Sequence, residues 1–327
     1  YRRFYTILFL PMQGGGMEII MSITVEKVKY EPWGSCIRIS NGKHELFATL
    51  DIGPRIIRYG IAGKHNIFFE DVNKECFVDL SDKHYFDDDT WYNYGGHRLW
   101  VSPELCPQCY YPENQPIAYE TTASGVILTP PPQKFTNLQM QVSVEMAEDG
   151  SVTVHNKVTN IGAWPIKIAS WGLSVLNAGG TEIIPQTTRD TGLLSNRLLA
   201  LWPYADMSDE RVTWGKKYIM LRQDKNNENK FKLGSTNEKG YAAYLLKDYL
   251  FIKQFDFVKD GEYPDGGMNF ETFTNNYFLE MEALGTLKEI ANGESVCHTE
   301  RWNIIDEVAP FELSEDEIER NIEKYVR

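Results

Sequence analysis

The chain has 327 residues, 42% hydrophobic and 24% charged, a composition that permits a sizeable core and excludes disorder, collagen and coiled coil. Against 46 Asp and Glu stand 33 Lys and Arg, a net charge of −13 that repels phosphate backbones and anionic lipid, so neither nucleic acid nor membrane is expected as a partner. Aromatic residues reach 13%, with 8 Trp and 18 Tyr, a stock suited to β-sheets and to stacking on flat apolar faces.

The N-terminal YRRFYTILFLPMQGGG carries an apolar run from Phe4 to Leu10 at the lower edge of a secretory core and has no A-x-A cleavage site. Residues 1–20 are read as a leader or added segment, and 21–327 as a single domain. No later stretch approaches ~18 uninterrupted apolar residues. The cysteines Cys36, Cys76, Cys106, Cys109 and Cys297 are sparse and odd in number, which points to a reducing cytoplasm.

From Ser35 the text reads as strand after strand. SCIRIS is followed by HELFATLDIG, where Leu46, Ala48, Leu50 and Ile52 share one face, then by RIIRYGIAG and NIFFEDV. GVILTP, LQMQVSVEM, SVTVHNKVTN and IKIASWGLSVL repeat the alternation. TEIIPQ, KYIMLRQ, GYAAYLL, YLFIKQFDF, NYFLEMEAL and VCHTERWNII continue it, with Gly, Asn, Asp and Pro at nearly every junction. The polar KNNENK stretch, 225–230, is expected at a hairpin tip. One helix is predicted, capped by Ser314, with Ile318, Ile322 and Val326 spaced every four residues and acids in its first turn. About a dozen strands without a βαβ rhythm predict two extended antiparallel sheets packed face to face.

The segment from His84 to Pro112 concentrates Trp91, Tyr92, Tyr94, Trp100, Tyr110 and Tyr111 among acids and histidines. Sugars bind through C–H faces stacked on aromatics and through hydroxyls shared with charged groups; the other reading is that these aromatics are core. Gly95 and Gly96 allow a sharp turn or close approach, placing His97 and Arg98 at the mouth of the next strand, with His97 facing a ligand or held structurally. The Cys106-Pro-Gln-Cys109 pair lacks the further ligands of a zinc site, and Asp87, Asp88 and Asp89 lack calcium-loop spacing, so no metal or other cofactor is expected.

In NYFLEMEAL, alternation puts Phe278, Glu280 and Glu282 on one face. Two carboxylates there either line a cleft, where repulsion and burial raise a pKa, or form an outward polar face. VCHTERW puts His298, Glu300 and Trp302 together on a face expected to be solvent-exposed, and His155 is read as exposed.

LFATLDIGPRIIRYGIAG, YGGHRLWVSPE, VTNIGAWPIKIASWGLSVL and NYFLEMEALGTLKEIANGESVCHTERWNI, in this order, resemble the galactose mutarotase-like (aldose 1-epimerase-like) superfamily. The pattern is most like that of bacterial members with a GGxRLWxxPE motif, over about Val25 to Ile305. The resemblance implies a β-supersandwich and a carbohydrate ligand. In the family's aldose 1-epimerases a late-strand glutamate is base toward the anomeric hydroxyl while a histidine protonates the ring oxygen. Carried over, the base is Glu280, with Glu282 the near alternative to it in register and otherwise a substrate contact. Arg98 resembles a substrate-binding arginine, and His97 takes the acid position. Trp171 stands where the family has its central histidine and is read as a sugar contact together with Trp91 and Tyr94. A tryptophan cannot exchange a catalytic proton, so a sugar- or oligosaccharide-binding module without turnover is the alternative.

Overall fold

The computed structural model describes residues 22–81 and 90–326. The segment 1–20, His84 and the acids Asp87 to Asp89 lie outside the described residues. Alternating strands account for most of the fold. In Leu138–Met146 every second side chain, from Leu138 through Val142 to Met146, is buried, and its antiparallel partner Val152–Asn160 repeats the pattern.

Two large sheets result. The first has 11 strands and runs Thr24–Lys29, Ser35–Ser40, His44–Thr49, Ile56–Ile61, Gly96–Ser102, Ile166–Asn177, Phe278–Leu284, Phe270–Thr274, Phe231–Ser235 and Leu199–Leu201, with Lys288–Ile290 also paired to Ile166–Asn177. The second has 10 strands, ordered Val212–Trp214, Tyr218–Arg222, Thr181–Pro185, Tyr241–Leu246, Tyr249–Phe255, Ser295–Ile305, Val152–Asn160, Leu138–Met146, Gly125–Thr129 and Ala118–Thr121. Between them Tyr59 of the first, and Phe68 in the segment bridged to it, meet Phe251 and Trp302 of the second, with ring centroids 5.5 to 6.4 Å apart. The core is continuous across both sheets.

Gly96 is a point where the backbone admits no side chain. Its φ is +67°, and a Cβ there would lie 2.4 Å from the carbonyl oxygen of Ile56. Glycine thus lets the strand Gly96–Ser102 close onto its neighbour and fixes where Arg98 emerges.

The predicted C-terminal helix is Glu315–Ile322, with Ser314 at its N-cap position and Ile318 and Ile322 buried against Ile183, Tyr218 and Tyr241. KNNENK is not a hairpin tip. It carries the chain from Tyr218–Arg222 in the second sheet to Phe231–Ser235 in the first. NIFFEDV makes only isolated bridges, Phe68 to Leu176 and Glu70 to Gly95. Among the described residues no helix is long and apolar enough to cross a membrane.

Candidate functional site

Five neighbouring strands of the first sheet, from Gly96–Ser102 to Phe231–Ser235, build the site. Register aligns Arg98 with Leu173 and Glu282, and Glu282 in turn with Glu271. One step along, Val175 aligns with Glu280, Glu280 with Phe273, and Phe273 with Lys232. With a side-chain period of two, these residues share the sheet face directed away from the partner sheet.

Arg98 Nη1 lies 2.9 Å from Glu280 Oε1, and its guanidinium sits over the rings of Trp100 and Trp91 at 4.5 and 5.5 Å. Asn93 bridges the pair: its amide nitrogen donates to Glu280 at 3.4 Å and its oxygen accepts from Arg98 at 3.4 Å. Beside them Lys232 Nζ is 2.8 Å from Glu271 and 3.0 Å from Glu282, and lies over Trp171 and Trp202 at 4.8 and 4.6 Å. Trp100 and Trp171 meet edge to face at 5.5 Å, joining the two groups.

One ammonium between two carboxylates leaves a negative charge in excess, and burial disfavours that charge. Burial, with Glu280 adding to it and Lys232 opposing, raises Glu282 to about 7; burial likewise raises Glu271 to about 8 against the pull of Lys232. Burial acts to neutralise Lys232, but Glu282 and Glu271 hold it charged. The two carboxyls titrate as a pair that keeps a proton near neutral pH.

Several buried polar atoms here have no hydrogen-bond partner among the described residues: the indole nitrogens of Trp91, Trp100 and Trp171, Arg98 Nε and Glu282 Oε1. Unmet buried donors and acceptors are costly, and their clustering on one face is what a hydroxyl-rich ligand would relieve. Glu280 is 6% exposed whereas Glu282 and Glu271 are at 0%, so Glu280 is the carboxylate that an incoming ligand meets first.

Of the residues read from the sequence, Arg98, Glu280, Glu282, Trp91 and Trp171 are brought together. Two are not. Tyr94 is buried in a separate cluster with Trp33, Phe47 and Ile57, and its hydroxyl donates to Asn114 at 2.6 Å. His97 adjoins Arg98 in sequence and so points to the opposite face, between the sheets. Its ring nitrogens lie 3.1 Å from Ser174 Oγ and 3.0 Å from Asn156 Oδ1, and its edge meets Trp302 at 4.9 Å. Burial lowers it to about 4, so it is neutral. The expected pairing of a Glu280 base with a His97 acid is therefore not assembled.

The expectation for His298, Glu300 and Trp302 is also corrected, for Glu300 and Trp302 are buried. Glu300 accepts from Trp302 Nε1 at 2.8 Å, pairs with Lys253 at 3.1 Å and lies 3.1 Å from His298 Nε2. Burial pushes Glu300 upward, but Lys253, His97 and His298 outweigh it and hold the carboxyl at about 2. Lys253 also donates to the carbonyls of Gly172 at 3.1 Å and Met281 at 3.0 Å, clamping the strands that carry the site from behind. Cys106 is an exposed free thiol and Cys109 a buried one, raised to about 12 by burial; His155 is exposed.

Lys232, Glu271, Asn93, Trp202 and Lys253 escaped the sequence reading. The alternation in FKLGS and in NFETFT is the signal that finds the first two, because it makes each a strand with its polar residue on a definite face.

No protein-family model matches the chain, and no curated protein matches it. Solved structures do. A TPR-domain containing protein from Parabacteroides distasonis is 14% identical with a TM-score of 0.57, over 85% of this chain and 48% of that one, so the chain spans about half of that protein. A galactose mutarotase-like protein from Lactobacillus casei is 10% identical with a TM-score of 0.53, over 83% of this chain and 100% of that one. Another from Clostridium acetobutylicum is 10% identical with a TM-score of 0.51, over 87% and 99%. At these identities the likeness is one of fold, and the fold is a mainly antiparallel β-sandwich of galactose mutarotase-like architecture.

Proposed function

We propose that the chain is a carbohydrate-active protein of the mutarotase-like class, an aldose-epimerase-like isomerase in which Glu280 is the base toward the anomeric hydroxyl. The observation that carries this reading is the Arg98–Glu280 pair, 2.9 Å apart, set among indole rings whose N–H groups lack partners among the described residues. Indole faces stack on the C–H face of a sugar, the free donors meet its hydroxyls, and the carboxylate accepts its most acidic proton. In the ring-opening step Glu280 takes the proton of the anomeric hydroxyl, the C1–O1 bond becomes a carbonyl, the C1–O5 bond breaks and O5 is protonated. Rotation about C1–C2 and the reverse steps give the other anomer. The same reading takes 21–327 as one domain, working in a reducing cytoplasm.

A second reading has a specific observation in its favour: His97 turns away and Trp171 occupies the site, which suits a sugar-binding module without turnover. Exchange NMR on a panel of free aldoses separates the two. The isomerase accelerates α/β interconversion, and Glu280→Gln lowers that acceleration by about 10² to 10⁴-fold, the usual contribution of a positioned base. Line broadening of particular sugars with no acceleration overturns the isomerase in favour of the binding module.

A further inference from the structure

We propose that Glu282 is the proton donor to the sugar ring oxygen, the role that His97 cannot fill from the opposite face of the sheet. The proposal rests on the isomerase reading above and adds its second catalytic residue. Glu280 and Glu282 are two residues apart on one strand and on one face, which sets their positions roughly 7 Å apart. Hydrogen bonds of about 2.7 Å at each end leave room between them for two oxygens borne by a single carbon, as O1 and O5 are on C1. Glu282 Oε2 is occupied by Lys232 at 3.0 Å, while Oε1 is buried and has no partner among the described residues. One oxygen is thus anchored and the other is free to carry and deliver a proton.

The surroundings maintain that proton. On the same face Glu282 is faced by Lys232, Glu271, Glu280 and Arg98, and behind it from the second sheet by Glu182 and Lys253. Tyr204 and Glu104 lie near Lys232, and Asp265 near Glu271. Around Lys232 the carboxyls Glu271 and Glu282 therefore outnumber the charge that neutralises them, and burial of Glu282, the largest influence on it, keeps its acid form up to about 7. Protons balance over the cycle. As C1–O5 breaks, Glu282 gives its proton to O5 while Glu280 receives one from O1. On reclosure Glu282 recovers the proton from the C5 hydroxyl and Glu280 returns the other to O1.

The test is the pH profile of anomer exchange, by NMR, for the wild-type chain, Glu282→Gln and Glu271→Gln, with sugar binding followed by tryptophan fluorescence. Glu282→Gln should lose the acceleration by about 10²-fold or more while still binding sugar. The wild-type rate should fall on the alkaline side as the acid form disappears. Glu271→Gln removes the carboxyl that shares Lys232 with Glu282 and leaves the ammonium to Glu282 alone, so that limb should move to lower pH. A merely structural Glu282 predicts no such displacement, and the displacement is read even where Glu282→Gln fails to fold. Acceleration that survives in Glu282→Gln, or an alkaline limb unmoved in Glu271→Gln, overturns the acid assignment and leaves Glu280 as base. Absence of acceleration by the wild-type chain overturns the isomerase reading and this assignment with it.

Discussion

Replacing Lys253 with Met should lower the unfolding free energy by about 3 to 5 kcal/mol at neutral pH, the cost of leaving a buried charge without its partner. The ammonium is 0% exposed and lies 3.1 Å from Glu300, whose other neighbours are an indole N–H and the imidazoles of His298 and His97. Its bonds to the carbonyls of Gly172 and Met281 are lost as well. The deficit depends on pH in a definite sense. Glu300 is held at about 2 against an ordinary 4.5, a depressed carboxyl that stabilises the fold above 4.5 and loses that contribution as pH falls through 2. In Lys253→Met the carboxyl can protonate inside the fold, so the gap from wild type narrows on acidification below about 4.5. Urea denaturation at pH 7 and at pH 4 measures both; a neutral-pH loss below about 1 kcal/mol would falsify the ion-pair account.

Lys232→Met should also be destabilising, again with a deficit that narrows on acidification, here through protons trapped in the fold. In the wild type, Glu271 and Glu282 lie at about 8 and about 7 against an ordinary 4.5, so the folded state holds protons that the unfolded chain releases. Raised carboxyls stabilise below 4.5 and the contribution is lost as pH rises to about 8. Without Lys232 both carboxyls stay neutral in the fold. Two retained protons make stability fall by about 2.7 kcal/mol per pH unit above the ordinary carboxyl range. Because the wild type holds the same two protons up to about 7, the deficit should be small at pH 5 and open between pH 7 and pH 9, where the wild type releases them and the variant does not. Thermal unfolding across that range is the measurement, and a deficit of equal size at both ends counts against a shared proton.

The fold was legible because most strands carry their own alternation. LQMQVSVEM forms the strand Leu138–Met146 with the expected face buried, and SCIRIS forms Ser35–Ser40. The paired face of Glu280 and Glu282 followed from the same rule. What single strands cannot disclose is which element lies opposite. Glu300 looks solvent-facing in VCHTERW because Lys253, which neutralises it, is on another strand. His97 and Arg98 looked like one catalytic pair because they adjoin in sequence, although a strand sends neighbours to opposite faces. Lys232 and Glu271 were missed because FKLGS and NFETFT are short and polar enough to pass for loop.

The order of strands in the first sheet has a consequence for when the site is assembled. Gly96–Ser102 pairs with Ile166–Asn177, which pairs with Phe278–Leu284, so Arg98 waits for a partner strand about 180 positions further along the chain. Contacts of such sequence separation form late and slowly, on the order of milliseconds to seconds for β-rich topologies. A nascent chain that has not yet released the strand with Glu280 has neither the Arg98–Glu280 pair nor the indole enclosure completed. Affinity at the proposed sugar site should therefore emerge together with the final cooperative step of folding, which makes ligand binding a reporter of the finished fold.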